Sequence, residues 1–179
     1  LVDYTSTNND LTFGNGSTDL PFSISLWYYR DSEYAHTDTE RLFYKSAGNG
    51  STDEFNAYIT SGAVVYFFVI DESASGYLRA FVDLGTLENN VNDRWLHFVF
   101  TYDGSRHQNG LKIYKDGVLL STTNQTDGSY TAMEALGDKL YIGAFNDGSS
   151  EGDGRFAEFA VWASELDDQE VKAIYHATT

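Results

Sequence analysis

Residues 95–120, WLHFVFTYDGSRHQNGLKIYKDGVLL, decide the fold. The segments 95–102 and 111–115 are rich in aromatic and β-branched residues, which suit a half-buried pleated surface. A polar loop, 103–110, separates them. Asp116-Gly117 then leads into a third apolar segment, and Asp-Gly between two such runs is a strong signal for a type I′ hairpin, whose two central residues both need positive φ. No helical period runs through the stretch. It predicts three strands of an antiparallel sheet.

The flanking sequence extends the pattern. Residues 22–29 alternate, with Phe22, Ile24, Leu26 and Tyr28 on one face and Ser23, Ser25, Trp27 and Tyr29 on the other. Large groups on both faces predict an inner strand of a two-layer sandwich. Further strands are expected at 41–44, 55–59, 64–70, 77–84, 139–143 and 156–162. The run 64–70 is apolar on both faces and is expected to be deeply buried. Residues 1–20 read as polar and turn-rich, with a tight turn at Phe13-Gly14-Asn15-Gly16. A single helix is expected over 167–175, with Asp167 as N-cap, Glu170 closing a capping box, and Val171, Ile174 and Tyr175 facing inward. Ten or more short strands, frequent turn signals and one late helix predict an all-β, two-sheet antiparallel jelly-roll β-sandwich, one domain over 1–179.

Composition agrees. The chain has 179 residues, 13 Tyr, 12 Phe, 16 Gly, one Pro and no Cys, so its stability must come from a sizeable core or bound metal and not from disulfides. Its formal net charge of −16 makes nucleic acid and anionic membranes poor partners and divalent cations good ones. No segment is long and apolar enough to span a membrane. The N-terminus has no signal-peptide pattern, and the chain reads as a module of a longer, multidomain protein.

Four segments, in order, resemble the landmarks of laminin-G-like, pentraxin-related (concanavalin A-like lectin/glucanase) jelly rolls. They are Phe22-Ser23-Ile24-Ser25-Leu26-Trp27, then the 95–104 strand ending Tyr102-Asp103-Gly104, then the Tyr114-Lys115-Asp116-Gly117 hairpin, and last Leu140-Tyr141-Ile142-Gly143 with the 154–162 strand and following helix. The resemblance implies two sheets face to face, a concave sheet and loops at the rim. It implies a binding module for glycans or extracellular proteins, often with calcium and rarely catalytic, located extracellularly, at a cell surface or on a virion surface. Fold alone does not settle function.

Candidate sites follow from side-chain chemistry. Calcium takes six to eight oxygens from carboxylates, Asn and backbone carbonyls, which the loops around Asn15 and Asp19, and around Asp147 and Asp153, supply. The family resemblance adds Glu158 to the first set as the second of an acidic pair, although the first position of that pair is Ala157 here. Sugar recognition needs aromatic rings together with planar amide, carboxylate or guanidinium groups that bond adjacent hydroxyls. Tyr34, His36, Tyr77, Arg106 and Asn146 are the candidates. Glu165-x-Asp167-x-x-Glu170 spells the signature of laminarinase-like glycosidases, which place two carboxylates across the scissile bond. Here the same residues open the helix, where capping accounts for them. The expected function is a non-catalytic, calcium-assisted carbohydrate-binding module. A protein-binding adhesion module or structural spacer is the alternative.

Overall fold

The computed structural model describes residues 2–4, 11–33, 39–46, 53–87, 91–137, 139–144 and 154–178. Among them lie the strands β1 (Val2–Tyr4), β2 (Phe22–Arg30), β3 (Glu40–Ser46), β4 (Asp53–Ile59), β5 (Val64–Asp71), β6 (Gly76–Asp83), β7 (Trp95–Tyr102), β8 (Leu111–Lys115), β9 (Val118–Leu119), β10 (Thr123–Asp127), β11 (Lys139–Ile142) and β12 (Gly154–Trp162). A one-turn helix α1 (Leu84–Leu87), a 3-10 turn at Gln108–Gly110 and the C-terminal helix α2 (Asp168–Thr178) complete the set. The strands form a seven-stranded sheet, β1-β11-β3-β4-β5-β6-β10, and a five-stranded sheet, β12-β2-β7-β8-β9, with every pairing antiparallel. This is the expected sandwich.

The core lies between the sheets and follows the alternation of the sequence. Phe22, Ile24, Leu26 and Tyr28 of β2 and Leu96, Phe98, Phe100 and Tyr102 of β7 meet Phe55, Ala57 and Ile59 of β4, Val65, Phe67 and Val69 of β5, and Leu78 and Ala80 of β6. The β8–β9 hairpin turns at Asp116 and Gly117 with φ of 50° and 77°, as a type I′ turn requires. Glycine meets that requirement without a Cβ penalty, whereas Asp116 is held by its carboxylate, which accepts the His97 N–H at 3.0 Å and the Arg94 guanidinium at 3.2 Å.

The outer face of β2 is closed by α2. Ser23 Oγ donates to the Ser164 carbonyl and accepts the Leu166 N–H, and Trp27 donates its indole N–H to Thr178 Oγ1. Val99, Tyr114, Leu166 and Val171 form a second, smaller core beneath the helix. At the helix start, Asp167 Oδ1 accepts the Gln169 and Glu170 N–H groups, and Glu170 Oε2 accepts the Asp167 N–H. The capping box forms as the sequence predicts.

Three expectations change. β1 and β10 are strands, although 1–20 and 121–127 carry no alternating pattern. Both are edge strands of the larger sheet, hydrogen-bonded to a neighbour on one side only. The third strand of the opening stretch is only two residues long and exposed. And β5 is not buried on both faces: Val65, Phe67 and Val69 are buried, but Tyr66, Phe68 and Ile70 are only partly so.

Candidate functional site

The exception at β5 locates the site. On the outer face of the seven-stranded sheet, register aligns Tyr44 with Asn56, Asn56 with Phe68, and Phe68 with Arg79. The next row aligns Arg41 with Tyr58, Tyr58 with Tyr66, and Tyr66 with Phe81. Four consecutive strands thus project aromatic and arginine side chains away from the core. Cross-strand neighbours on one face are close enough for such rings to touch.

The rings pack in offset stacks. Tyr58 and Tyr66 have centroids 4.9 Å apart at 26°, Tyr66 and Phe81 5.2 Å apart at 21°, and Tyr58 and Phe68 5.7 Å apart at 19°. Guanidinium groups close both ends: Arg41 lies 4.9 Å from the Tyr58 centroid, and Arg79 lies 5.6 Å from that of Phe81 and 5.7 Å from that of Tyr77. Gln125 of β10 accepts from Arg79 Nε at 3.0 Å and so fixes that end.

Beside the stack is a cleft of about 230 Å³, walled by Tyr58, Phe68 and Tyr77 and edged by Arg41, Asp53 and Asn56. Asn56 is 6 % exposed, and its Oδ1 has no hydrogen-bond partner among the described residues. Buried amide oxygens are nearly always paired, so this orphan is an unmet hydrogen-bonding need in the wall of the cleft. Tyr44 donates to Asp53 Oδ1 at 2.5 Å, which fixes the carboxylate. Burial pushes the Tyr58 hydroxyl above its ordinary range and pulls the Arg41 guanidinium below its own. Tyr58 therefore stays neutral and a donor at neutral pH, and Arg41 remains a cation. Asp127 accepts the Tyr77 hydroxyl at 2.8 Å and raises its pKa, so Tyr77 is also held protonated. An amide, a carboxylate and a guanidinium thus converge on a space walled by aromatic rings. That combination can bond adjacent hydroxyls while covering apolar C–H faces.

Of the residues picked from the sequence, Tyr77 lies in this cleft. Arg106 does not. Its Nη1 donates to the Ser17 carbonyl and its N–H to the Tyr102 hydroxyl oxygen, so it clamps the 11–20 segment. Tyr34, His36, Asn146, Asp147 and Asp153 lie outside the described residues. Arg41, Asn56, Tyr58 and Phe68 were missed. The available signal was the double-sided apolarity of 64–70, which marks a covered strand or an aromatic outer face equally well.

The proposed calcium set of Asn15, Asp19 and Glu158 does not assemble. Asn15 Oδ1 accepts the Ser17 and Thr18 N–H groups in its own turn. Asp19 Oδ2 accepts the Tyr102 and Tyr130 hydroxyls at 2.7 and 2.6 Å, and Oδ1 accepts the Met133 N–H at 2.9 Å. Burial raises the Asp19 pKa, and those bonds offset it only in part. Glu158 lies by the middle of β2, just past the Ala157–Trp27 pair, whereas Asp19 lies by the Phe22–Tyr102 pair. Five residues of strand, about 16 Å, separate the two places. Among the described residues no three His, Asp or Glu side chains gather as a metal site.

The carboxylates of the Glu165-x-Asp167-x-x-Glu170 motif are engaged too. Glu165 pairs with Lys112 at 2.7 Å, while Asp167 and Glu170 cap the helix.

Comparison with known proteins places this architecture. No curated protein sequence matches the chain. Among solved structures, it is similar to the botulinum neurotoxin serotype G binding domain, with TM-score 0.68 and 13% identity over 98% of this chain and 40% of that one. It is also similar to the mosaic serotype C/D receptor-binding domain carrying tetraethylene glycol on its Hcn sub-domain, with TM-score 0.64 and 14% identity over 88% of this chain and 36% of that one. A third is the serotype DC binding domain in complex with rat synaptotagmin II, with TM-score 0.59 and 15% identity over 89% of this chain and 36% of that one. The chain spans well under half the length of each, and at such identities the likeness is one of fold. The sequence profile of the concanavalin A-like lectin/glucanases superfamily matches residues 3–172, nearly the whole chain, and the protein belongs to that superfamily.

Proposed function

We propose that this chain is a non-catalytic carbohydrate-binding module of a secreted or surface protein, and that it binds sugar on the outer face of its seven-stranded sheet. The observation that carries the reading is the cleft itself, with aromatic walls, Arg41 and Asp53 at its edge, and the side chain of Asn56, whose buried oxygen is unpartnered, in its wall. A space of about 230 Å³ suits one sugar ring and not an extended chain. Contacts that few give weak monovalent affinity, and a longer protein would add avidity by repeating the module.

A glycan array followed by calorimetry on the best hit tests the reading. Asn56→Ala is expected to weaken binding about tenfold, the value of one well-placed hydrogen bond in a shielded site, while leaving the melting midpoint unchanged or higher, because the wild-type oxygen is unsatisfied. Phe68→Ala removes a wall and is expected to abolish binding. Silence on every glycan would favour the adhesion reading, for which the exposed Val118 and Leu119 on the β9 edge offer an apolar contact.

Calcium assistance belongs to the same proposal and is tested separately. A midpoint that rises in calcium above a sodium control of matched ionic strength supports it, and an unchanged midpoint removes it.

A further inference from the structure

The opposite outer face, that of the five-stranded sheet, holds a second cavity unrelated to the cleft. It is about 360 Å³ and is lined by Trp27, Trp95, Ala157, Glu158 and Thr178. Register explains its form. Ala157 faces Trp27 across the β12–β2 pair, and Tyr29 faces Trp95 across the β2–β7 pair, so the two indoles are diagonal neighbours with the small Ala157 beside them.

Trp27 is fixed in place. Its N–H is held by Thr178 Oγ1 at 3.1 Å, and Tyr175 stacks on it with centroids 5.8 Å apart. Trp95 packs against the Tyr29 ring, edge to face at 5.5 Å, yet keeps 42 % of its surface exposed. Glu158 sits in a β-bulge, where the register slips between Ala157 and Ala160, and has φ of 52°. Its carboxylate has no hydrogen-bond or ion-pair partner among the described residues. The guanidinium of Arg155, on the same strand, lies over the Tyr29 ring at 5.0 Å and is paired with Asp31 at 3.1 Å.

The polar inventory decides the occupant. The Thr178 hydroxyl is already used, accepting from Trp27 and donating to the Ile174 and Tyr175 carbonyls. One free carboxylate therefore remains among indole faces. A sugar would need several hydrogen-bonding groups, and an anion would be repelled. A bulky cation without donors needs only π faces and a negative charge, and tryptophan is the best of the aromatic residues for it. We propose that the Trp27–Trp95–Glu158 cavity binds an alkylated ammonium group, whether free or on a methylated lysine side chain.

The test is tryptophan fluorescence of the intact chain titrated with tetramethylammonium chloride, with sodium chloride at equal ionic strength as control. The expected result is saturable quenching by tetramethylammonium at millimolar concentration and none by sodium. Glu158→Gln, which keeps shape and removes charge, should weaken binding at least fivefold, and Trp95→Ala, an exposed position, should abolish it. Titration with a trimethyllysine peptide and its unmodified lysine counterpart separates the two sources: tighter binding of the methylated peptide than of tetramethylammonium assigns the side chain, and equal or weaker binding assigns the free cation. Identical responses to sodium and tetramethylammonium, undiminished binding by Glu158→Gln, or displacement of the cation by a glycan would each overturn the proposal. Asn56→Ala is expected to leave this binding intact, which separates it from failure of the sugar site.

Discussion

Asp19 shows how a residue chosen for one chemistry serves another. In the sequence it stands among Asn, Gly, Ser and Thr, the setting of a metal loop. In the structure its two oxygens take donors from Tyr102 on β7, Tyr130 beyond β10 and the Met133 backbone, tying three distant segments together. A carboxylate accepts on both oxygens; an amide accepts on one and presents donors on the other. Asp19→Asn must therefore set an N–H against either Met133 or the two tyrosines. A loss of about 2–3 kcal/mol is expected, a fall in melting midpoint of roughly 5–10 °C. The fall should be the same in calcium and in chelator. A loss seen only with calcium would restore Asp19 as a ligand. Sequence spacing could not separate the two roles, because the donors come from positions more than eighty residues away.

Elements differ in how far their own sequence fixes them. Helix α2 was legible because its start is a local event: Asp167 and Glu170 are three apart and bond each other's backbone. Asp167→Ala is expected to cost about 1 kcal/mol in urea denaturation. It should leave glycan affinity unchanged, since α2 covers the five-stranded sheet and the cleft lies on the other. A loss of sugar binding with stability intact would instead give the motif a direct part in ligand contact. The strands β2 and β5 make the contrasting case. Each carries large groups on both faces, and alternation alone does not tell them apart. β2 is covered by α2, while β5 keeps Tyr66 and Phe68 on an open face whose neighbours, Tyr58 and Phe81, come from flanking strands. Only the pairing registers bring those rings and Asn56 together. The sandwich was legible from alternation and turns, whereas the cleft depends on which strands become neighbours.

At the scale of the whole molecule, two acid-dependent effects oppose each other. The net charge of −16 repels itself at neutral pH, and protonating carboxylates relieves that strain as pH falls. His97 works in the other direction. It is buried between β7 and α2, packed by Trp27 and Tyr175, with its Nε2 at 2.8 Å from Ser25 Oγ. Burial lowers its pKa from 6.5 to about 4, and the attraction of Asp116 only partly offsets this. The unfolded chain therefore takes up a proton near pH 6.5 that the folded chain refuses until about pH 4. Stability from the neutral imidazole is intact above 6.5 and is lost progressively as pH falls toward 4, by on the order of 3 kcal/mol at the end of that window. His97→Gln keeps a polar partner for Ser25 and removes the titration, while leaving the carboxylate effect in place. Urea denaturation at pH 7 and pH 5 should show wild type losing about 2 kcal/mol more than the variant over that interval. Equal losses would mean that His97 is protonated within the fold and that the carboxylates alone govern the acid response.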